Sequence, residues 1–139
     1  LDSYNSFSPT LASIGAEFFD KNWIDAPPRA GKASGAFAHP TVPSAHPYLL
    51  LNYQGKSRDV MTLAHELGHG VHQVLASQQG HLMADTPLTL AETASVFGEM
   101  LTFQTLLKSK SLYFSYASGN VTTSSKEPLL SSTVRNAIS

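Results

Sequence analysis

Cysteine is missing from all 139 residues of the chain, and charged residues are scarce. Without thiols the chain can form neither disulfide bonds nor thiolate metal sites, so a metal site would have to use histidine and carboxylate side chains. Charged residues make up 14% of the sequence and the formal net charge is −1. This gives no electrostatic reason to expect nucleic acid or an anionic membrane as a partner. The expected setting is reducing and cytoplasmic.

Long apolar runs are also missing. No stretch approaches the roughly 18 apolar residues that span a bilayer, and no basic segment followed by an apolar one opens the chain. Hydrophobic residues still make up 42% of the sequence, which predicts one packed domain with a modest core. The chain begins at Leu1 rather than at a methionine and enters a turn-like segment, SYNSFSP, at once. This favours a piece cut from a longer protein.

The most informative segment is Arg58–Leu75, RDVMTLAHELGHGVHQVL. Its apolar residues recur at steps of three and four, which predicts an amphipathic helix. His65 and His69 are one turn apart on such a helix, so both imidazoles can reach one ion. Glu66 lies about 100° around the helix axis from His65, because an α-helix has about 3.6 residues per turn. From there its carboxylate can contact a water molecule on the metal without binding the metal itself.

Two histidines with a carboxylate base are the arrangement found in zinc hydrolases. The pattern His65-Glu66-x-x-His69 also occurs by chance, and the alternative is a helix that carries two histidines on its polar flank. A catalytic zinc site needs a third protein ligand and one open coordination position. The third ligand therefore has to come from elsewhere in the chain.

A second long helix is predicted to begin at Thr86-Pro87, since proline favours the first helical position. Glu92, Ser95 and Glu99 follow on one face of it, at spacings of three and four. Glu92 is the favoured third ligand, because a carboxylate on a separate helix can approach the ion from the side that the first helix cannot supply. Two alternatives stay open. Thr89-x-x-Glu92 matches a capping box, and Glu99 could be the ligand or an acceptor that holds a ligand imidazole in place.

The other histidines and two aspartates are not expected to bind the metal. His72 lies two turns from His65 on nearly the same face, too far along the helix to reach the same ion. Its expected role is structural, or as a partner of a ligand. The remaining candidates are expected to be loop residues that are solvated or part of turns: His39, His46, His81, Asp25 and Asp85.

The rest of the chain predicts a mainly α fold with a short antiparallel β-hairpin. Ser8-Pro9 is the predicted start of a helix that runs to about Asn22. Gly35–Ala38 and Tyr48–Tyr53 are the predicted strands, and an exposed edge at the first of them could hold an extended peptide by main-chain hydrogen bonds. Ser57 is the predicted cap of the histidine-bearing helix.

Two segments taken together resemble a known family. TLAHELGHGVH (62–72), followed by LTLAETASVFGEMLTF (88–103), is similar to the oligoendopeptidase F branch of the thimet oligopeptidase family. Two segments before the motif, WIDAPPRAGKASGAFA and HPYLLLNYQGKSRDVM, resemble the same branch. The resemblance implies one zinc ion bound by His65, His69 and Glu92, with Glu66 as the general base.

The resemblance also implies a fold and a substrate. The chain would be a fragment of a zincin-like, mostly helical metallopeptidase catalytic domain. The whole protein would have two lobes and a deep channel that admits oligopeptides, which would bind as an added strand. A whole family domain is several times longer than this chain. The family's downstream histidine and tyrosines, which stabilise the oxyanion, would lie beyond Leu107. No role is assigned to Tyr113 or Tyr116, because they come too early in the chain and lack the histidine.

The predicted division of the chain follows from these elements. Residues 1–110 are expected to form a partial metallopeptidase core that contains the hairpin, the histidine-bearing helix and the glutamate-bearing helix. The histidine-bearing helix is predicted to end near Gln78 or Gln79, with Gly80 as the stop signal. Residues 111–139 are expected to be a weakly ordered tail with a short helix at Leu129–Ile138, since serine, threonine, glycine and asparagine dominate much of it.

The predicted function is a zinc-dependent endopeptidase that hydrolyses short peptides with Glu66 as general base, in a chain that could be inactive alone. One alternative is a zinc-binding but catalytically silent fragment, in which the metal ties two helices together. Another is a zinc-free helical interaction module. An oligopeptide substrate is the expected partner, and the sequence leaves the oligomeric state open.

Overall fold

Two long helices make up much of the structure, a computed structural model that describes residues 1–117, with side chains as far as Ser109. In chain order the elements are α1 (Asp2–Phe7), α2 (Pro9–Asp20), β1 (Ile24–Asp25), β2 (Phe37–His39), β3 (Tyr48–Leu50), α3 (Ser57–Ser77) and α4 (Leu88–Ala117). The fold is mainly helical with a small sheet. The predicted fold class is therefore confirmed.

Helix α2 begins as predicted, whereas helix α1 was not predicted. The Ser8 hydroxyl accepts a hydrogen bond from the Leu11 N–H (3.5 Å), and Pro9 occupies the first helical position of α2. Helix α1 stands where a turn was predicted. The sequence did not reveal it, because six residues are too few to show a helical period. Tyr4 is buried and anchors α1, since its hydroxyl donates a hydrogen bond to the Ala64 carbonyl on α3 (3.4 Å).

The predicted antiparallel strand pair is present, within a three-stranded sheet of order β1-β3-β2. Strand β2 pairs antiparallel with β3, with Phe37 opposite Leu50. Strand β1 adds a parallel partner on the other side of β3, so the simple hairpin is corrected to a mixed sheet. Strand β2 begins at Phe37 rather than at Gly35, because Gly35 has a φ of +86°, outside the extended region. Strand β3 ends at Leu50 rather than at Tyr53.

The apolar core lies where the first two helices, the sheet and α3 meet. Phe18 on α2 and Leu49 on β3 are 0% and 1% exposed. Gly70 on α3 makes room for them, because a Cβ atom there would lie 2.7 Å from the Phe18 ring. Packing on this side of α3 leaves the side with His65 and His69 facing α4. The buried members of the core are Tyr4, Phe18, Leu49, Leu67 and Val71.

Helices α3 and α4 pack closely because each presents a glycine to the other. A Cβ atom at Gly68 on α3 would lie 2.8 Å from the Ser95 Cα atom and 2.8 Å from the Ala94 carbonyl oxygen. A Cβ atom at Gly98 on α4 would overlap the Tyr4 hydroxyl oxygen and would lie 3.1 Å from the Ala64 carbonyl oxygen. These contacts leave no room for a methyl group. They bring the glutamates of α4 within reach of the histidines of α3.

Gly68→Ala is expected to lower the free energy of unfolding by about 1–3 kcal/mol, because backbone atoms of α4 must move to admit the methyl group. Gly15→Ala on α2 is the matched control. Its added Cβ atom meets only side chains, the nearest being the flexible end of Leu1 at 3.1 Å, and alanine favours a helix by up to about 1 kcal/mol. Urea unfolding followed by circular dichroism measures both variants. Equal stabilities would contradict the tight contact between α3 and α4.

The start of α3 differs from the prediction in which residue caps it. Lys56 is the N-cap residue and Ser57 is already helical, so the predicted cap at Ser57 is wrong. The carboxylate of Asp59 performs the capping instead, because it accepts hydrogen bonds from the backbone N–H groups of Lys56 (3.0 Å) and Gln54 (2.8 Å). These bonds lower the pKa of Asp59. At its other end the helix stops at Ser77, close to the prediction.

Helix α4 begins just after Pro87, whose carbonyl accepts hydrogen bonds from two N–H groups of the first turn (3.0 and 3.1 Å). The helix continues to Ala117, so residues 111–117, predicted as loop, are helical. The second half of α4 contains neither glycine nor proline, and the next glycine is Gly119, so the sequence has no strong helix breaker there. The predicted helix at Leu129–Ile138 lies outside the described residues. Across residues 1–117 no helix is long and apolar enough to span a membrane.

Candidate metal centre

The three predicted ligands lie together in the structure. His65 and His69 are one turn apart on α3, with ring centroids 5.0 Å apart, and Glu92 lies in the second turn of α4. Glu92 Oε2 is 3.4 Å from His65 Nε2, and Glu92 Oε1 is 3.7 Å from His69 Nε2. One ligand atom from each residue lies within 4.8 Å of the other two.

These separations fit a single metal ion. Nitrogen and oxygen ligands lie about 2.0–2.2 Å from zinc, so two ligands of a tetrahedral ion are roughly 3.3–3.6 Å apart. The observed N–O separations of 3.4 and 3.7 Å are close to that range. Two imidazoles and one carboxylate are also the ligand types of known His2Glu zinc sites. The Glu92 side chain is 46% exposed, which leaves the group accessible to water and substrate.

Glu99 contacts the opposite side of the His65 ring from Glu92. Its Oε2 atom lies 3.3 Å from His65 Nδ1, whereas Glu92 faces Nε2 of the same ring. A carboxylate beside Nδ1 can accept its proton, which leaves the Nε2 lone pair free for a metal ion. The geometry therefore favours Glu99 as the acceptor that holds a ligand imidazole, one of its two predicted roles.

The surroundings of His69 favour the form of the ring that a metal ion requires. Burial lowers the pKa of His69, while the nearby Glu92 carboxylate and a hydrogen bond to the Ala91 backbone oppose that shift. A lowered pKa favours the neutral imidazole, which is the form that binds metals.

Glu66 is buried beside the ligand group and is 7% exposed. Burial raises the pKa of Glu66, the neighbouring His65 lowers it, Glu92 raises it, and a hydrogen bond from the Ala38 backbone lowers it. The net shift is upward, toward the range in which a carboxylate can both accept and release a proton near neutral pH. Glu66 is not one of the three grouped metal donors.

Two of the predicted loop residues have other roles. Asp25 lies in β1, and its carboxylate forms ion pairs with Arg29 (2.6 Å) and Lys32 (3.0 Å). The hydrogen bond from Arg29, with help from Lys32, lowers the pKa of Asp25 to about 2. His46 is a stacking residue, because its ring lies parallel to the Trp23 ring at a centroid distance of 4.0 Å. The ion pairs of Asp25 form within the turn that follows it. The stacking of His46 depends on Trp23, which is distant in sequence.

The remaining candidates lie outside the group of His65, His69 and Glu92. His39 lies in β2, so its predicted place in a loop is wrong. Its Nδ1 atom accepts a hydrogen bond from the Thr41 N–H (3.0 Å). His81 and Asp85 are exposed between α3 and α4. His72 does not belong to the three-residue donor group.

A cavity of about 340 Å³ beside Glu66 was not predicted from the sequence. It is lined by the loop before β2, the segment after β3 and the start of α3. Asn52 fixes part of this lining, because its side-chain amide donates hydrogen bonds to the carbonyls of Ala33 (3.0 Å) and Gly35 (2.9 Å). A single asparagine gives no sequence signal for bonds to residues 17 and 19 positions away.

The site and the fold together define a class of protein. A mostly helical fold with two histidines one turn apart, a carboxylate from a second helix and a buried glutamate is typical of metallopeptidases. The sequence model of Peptidase family M3 matches residues 8–131. The chain belongs to Peptidase family M3.

Relatives with sequence similarity place the chain near the oligoendopeptidase F branch. It is 38% identical over 106 residues to the chromosomal oligoendopeptidase F of Lactococcus lactis subsp. cremoris, and this alignment covers 70% of this chain and 17% of the relative. It is 35% identical over 91 residues to the group B oligopeptidase PepB of Streptococcus agalactiae, and this alignment covers 65% of this chain and 15% of the relative. The resemblance read from the sequence is confirmed.

A solved structure agrees with this placement. The crystal structure of a candidate peptidase from Chlamydophila abortus matches 78% of this chain with a TM-score of 0.65 and 32% sequence identity. The match covers 19% of that protein. The chain thus spans less than a fifth of the length of these relatives, and its fold corresponds to a part of theirs.

Proposed function

We propose that this chain carries the zinc-binding catalytic centre of an endopeptidase that hydrolyses short peptides. The observation that carries the proposal is the grouping of His65, His69 and Glu92 within 4.8 Å, beside the buried carboxylate of Glu66. The names of the relatives, oligoendopeptidase F and oligopeptidase, support the same substrate class. The proposal includes the cytoplasmic location expected from the composition.

In the proposed mechanism His65, His69 and Glu92 hold one zinc ion and Glu66 is the general base. A zinc ion held there supplies Lewis-acid chemistry, which lowers the pKa of water to about 7 and polarises the scissile carbonyl. Glu66 accepts a proton from the attacking water and delivers it to the departing amine nitrogen as the peptide bond breaks. The raised pKa of Glu66 supports both proton transfers. Glu99 orients the His65 ring from its other side.

We propose that the peptide binds as an added strand along β2. This strand lies at one edge of the sheet, so one side of its backbone has no strand partner among residues 1–117. An extended peptide can use such an edge through main-chain hydrogen bonds. Strand β2 packs against α3, the helix that carries Glu66, and this supports the position because it puts the strand close to the general base. The cavity beside Glu66 has room for a substrate side chain.

The zinc-loaded chain is expected to hydrolyse a quenched fluorescent oligopeptide. Addition of a chelator should abolish the hydrolysis and added zinc should restore it, because the proposed reaction depends on the metal. The rate is expected to be low, since the chain spans 17% of the length of its Lactococcus relative and the rest of the family domain contributes to substrate binding. Hydrolysis that the chelator does not affect would contradict the proposal.

The second candidate is a zinc-binding fragment without catalytic activity of its own. The observation that favours it is the position of the ligands, because two lie on α3 and one on α4. A metal ion there would tie the two helices together whether or not a substrate can bind. Binding of one zinc ion per chain, together with no chelator-sensitive hydrolysis, would favour this candidate. A calorimetric titration that shows no zinc binding would contradict both.

A further inference from the structure

Ser95 on α4 is a polar residue at an unusually crowded place. It is 0% exposed, and its backbone lies against Gly68 of α3, where a Cβ atom would come within 2.8 Å of the Ser95 Cα atom. A buried hydroxyl group costs free energy unless it is hydrogen-bonded. The Ser95 hydroxyl lies 3.0 Å from the Glu92 carbonyl oxygen and 3.0 Å from Glu92 Oε2.

The contact with the Glu92 carboxylate sets this serine apart from the other hydroxyl residues of α4 as far as Ser109, where the described side chains end. Serine and threonine in helices commonly donate to a carbonyl three or four residues earlier. Ser109 does so, with its hydroxyl 2.8 Å from the Leu106 carbonyl oxygen, and Thr105 donates in the same way to Leu101 (3.0 Å). Ser95 has the same backbone contact and a carboxylate oxygen in addition.

The carboxylate oxygen that Ser95 contacts is also the one nearest to His65. Glu92 Oε2 lies 3.0 Å from the Ser95 hydroxyl and 3.4 Å from His65 Nε2. The Glu92 side chain is 46% exposed, and a long exposed side chain loses rotamer entropy when it is fixed. The buried hydroxyl of Ser95 holds one oxygen of Glu92, so part of this entropy cost is met before a metal ion binds.

We propose that Ser95 is a positioning residue for Glu92, fixing its carboxylate toward the two imidazoles. This inference rests on the proposed function, in which Glu92 is the third zinc ligand. The close approach of Gly68 keeps the serine backbone in place, so the hydroxyl is anchored to the interface between the helices. Its effect is on the affinity for the metal ion, since partners that orient metal ligands contribute to binding without touching the ion.

Ser95→Ala is expected to weaken zinc binding by the 10- to 100-fold that loss of such a partner causes. Ser109→Ala is the matched control, because it removes the same atom and the same kind of backbone contact from the same helix. It should leave the zinc affinity unchanged. The affinities are measured on the full 139-residue chain by competition with a chromophoric chelator. Unfolding of the metal-free variants shows the effect of each substitution on packing alone.

A double-mutant cycle with Glu92→Ala separates positioning from packing. In that background, titrated at zinc concentrations high enough to load the two histidines, Ser95→Ala should cause no further loss of affinity. An equal loss in both backgrounds would show that Ser95 acts through the helix interface and would overturn the inference. Wild-type affinity in Ser95→Ala would overturn it as well, and leave the proposed function standing. A wild-type chain that does not bind zinc would overturn both.

Discussion

Glu66→Gln is expected to lower peptide hydrolysis by about 10²- to 10⁴-fold, the range that general acid–base catalysis supplies, while the chain still binds one zinc ion. Glutamine has nearly the shape of glutamate, so it preserves the packing of a side chain that is 7% exposed. It cannot accept a proton from water at neutral pH. Zinc should remain bound, because Glu66 does not belong to the group of three donors.

The test measures turnover of the quenched oligopeptide and zinc content by elemental analysis on the same preparations. Glu17→Gln on α2 is the control, since the Glu17 side chain is 44% exposed and forms a surface ion pair with Lys21 (2.7 Å), which contributes little to stability. It should change neither quantity. Zinc lost from Glu66→Gln would show that Glu66 is a ligand. Turnover at the wild-type rate would exclude Glu66 as the general base.

The part of the site that lies on α3 could be predicted because one helix contains it. The apolar period between Arg58 and Leu75 predicts the helix, and helix geometry then puts His65 and His69 on one side. Nothing beyond local structure is needed for that step. The structure agrees, with the two rings 5.0 Å apart.

The choice between Glu92 and Glu99 could not be made from local structure. Both glutamates occupy the same face of α4, two turns apart. Which of them reaches Nε2 of His65 depends on the height at which α4 crosses α3, and that height is set by contacts such as the one between Gly68 and Ser95. The structure resolves the two contacts, with Glu92 beside Nε2 and Glu99 beside Nδ1.

Other features escaped prediction because their partners are distant in sequence. Strand β1 is recognisable only through its pairing with β3, where Ile24 lies opposite Leu49. The first helix depends on Tyr4, whose partner is the carbonyl of Ala64. The predicted loop at residues 111–117 was wrong for a different reason, since a change in composition does not by itself end a helix whose second half contains neither glycine nor proline.

Glu92→Ala is expected to weaken zinc binding by more than about 100-fold, and Glu99→Ala by about 10- to 100-fold, the range for residues that orient a ligand. Glu92 supplies one of three protein donors, so its loss leaves two histidines and a poorly defined coordination sphere. Of the three donor residues, Glu99 contacts only His65, at the Nδ1 side of its ring (3.3 Å). Its loss leaves the ligand set complete, with one imidazole less firmly oriented.

Two conservative substitutions make the comparison sharper. Glu99→Gln should restore most of the affinity lost in Glu99→Ala, because an amide oxygen can still accept the Nδ1 proton of His65. Glu92→Gln should restore little of the affinity lost in Glu92→Ala, because the neutral amide lacks the negative charge that attracts zinc. Competition with a chelator measures all four variants under the same conditions. A larger loss in Glu99→Ala than in Glu92→Ala would make Glu99 the third ligand, and equal losses would contradict the separate roles that their contacts with Nε2 and Nδ1 imply.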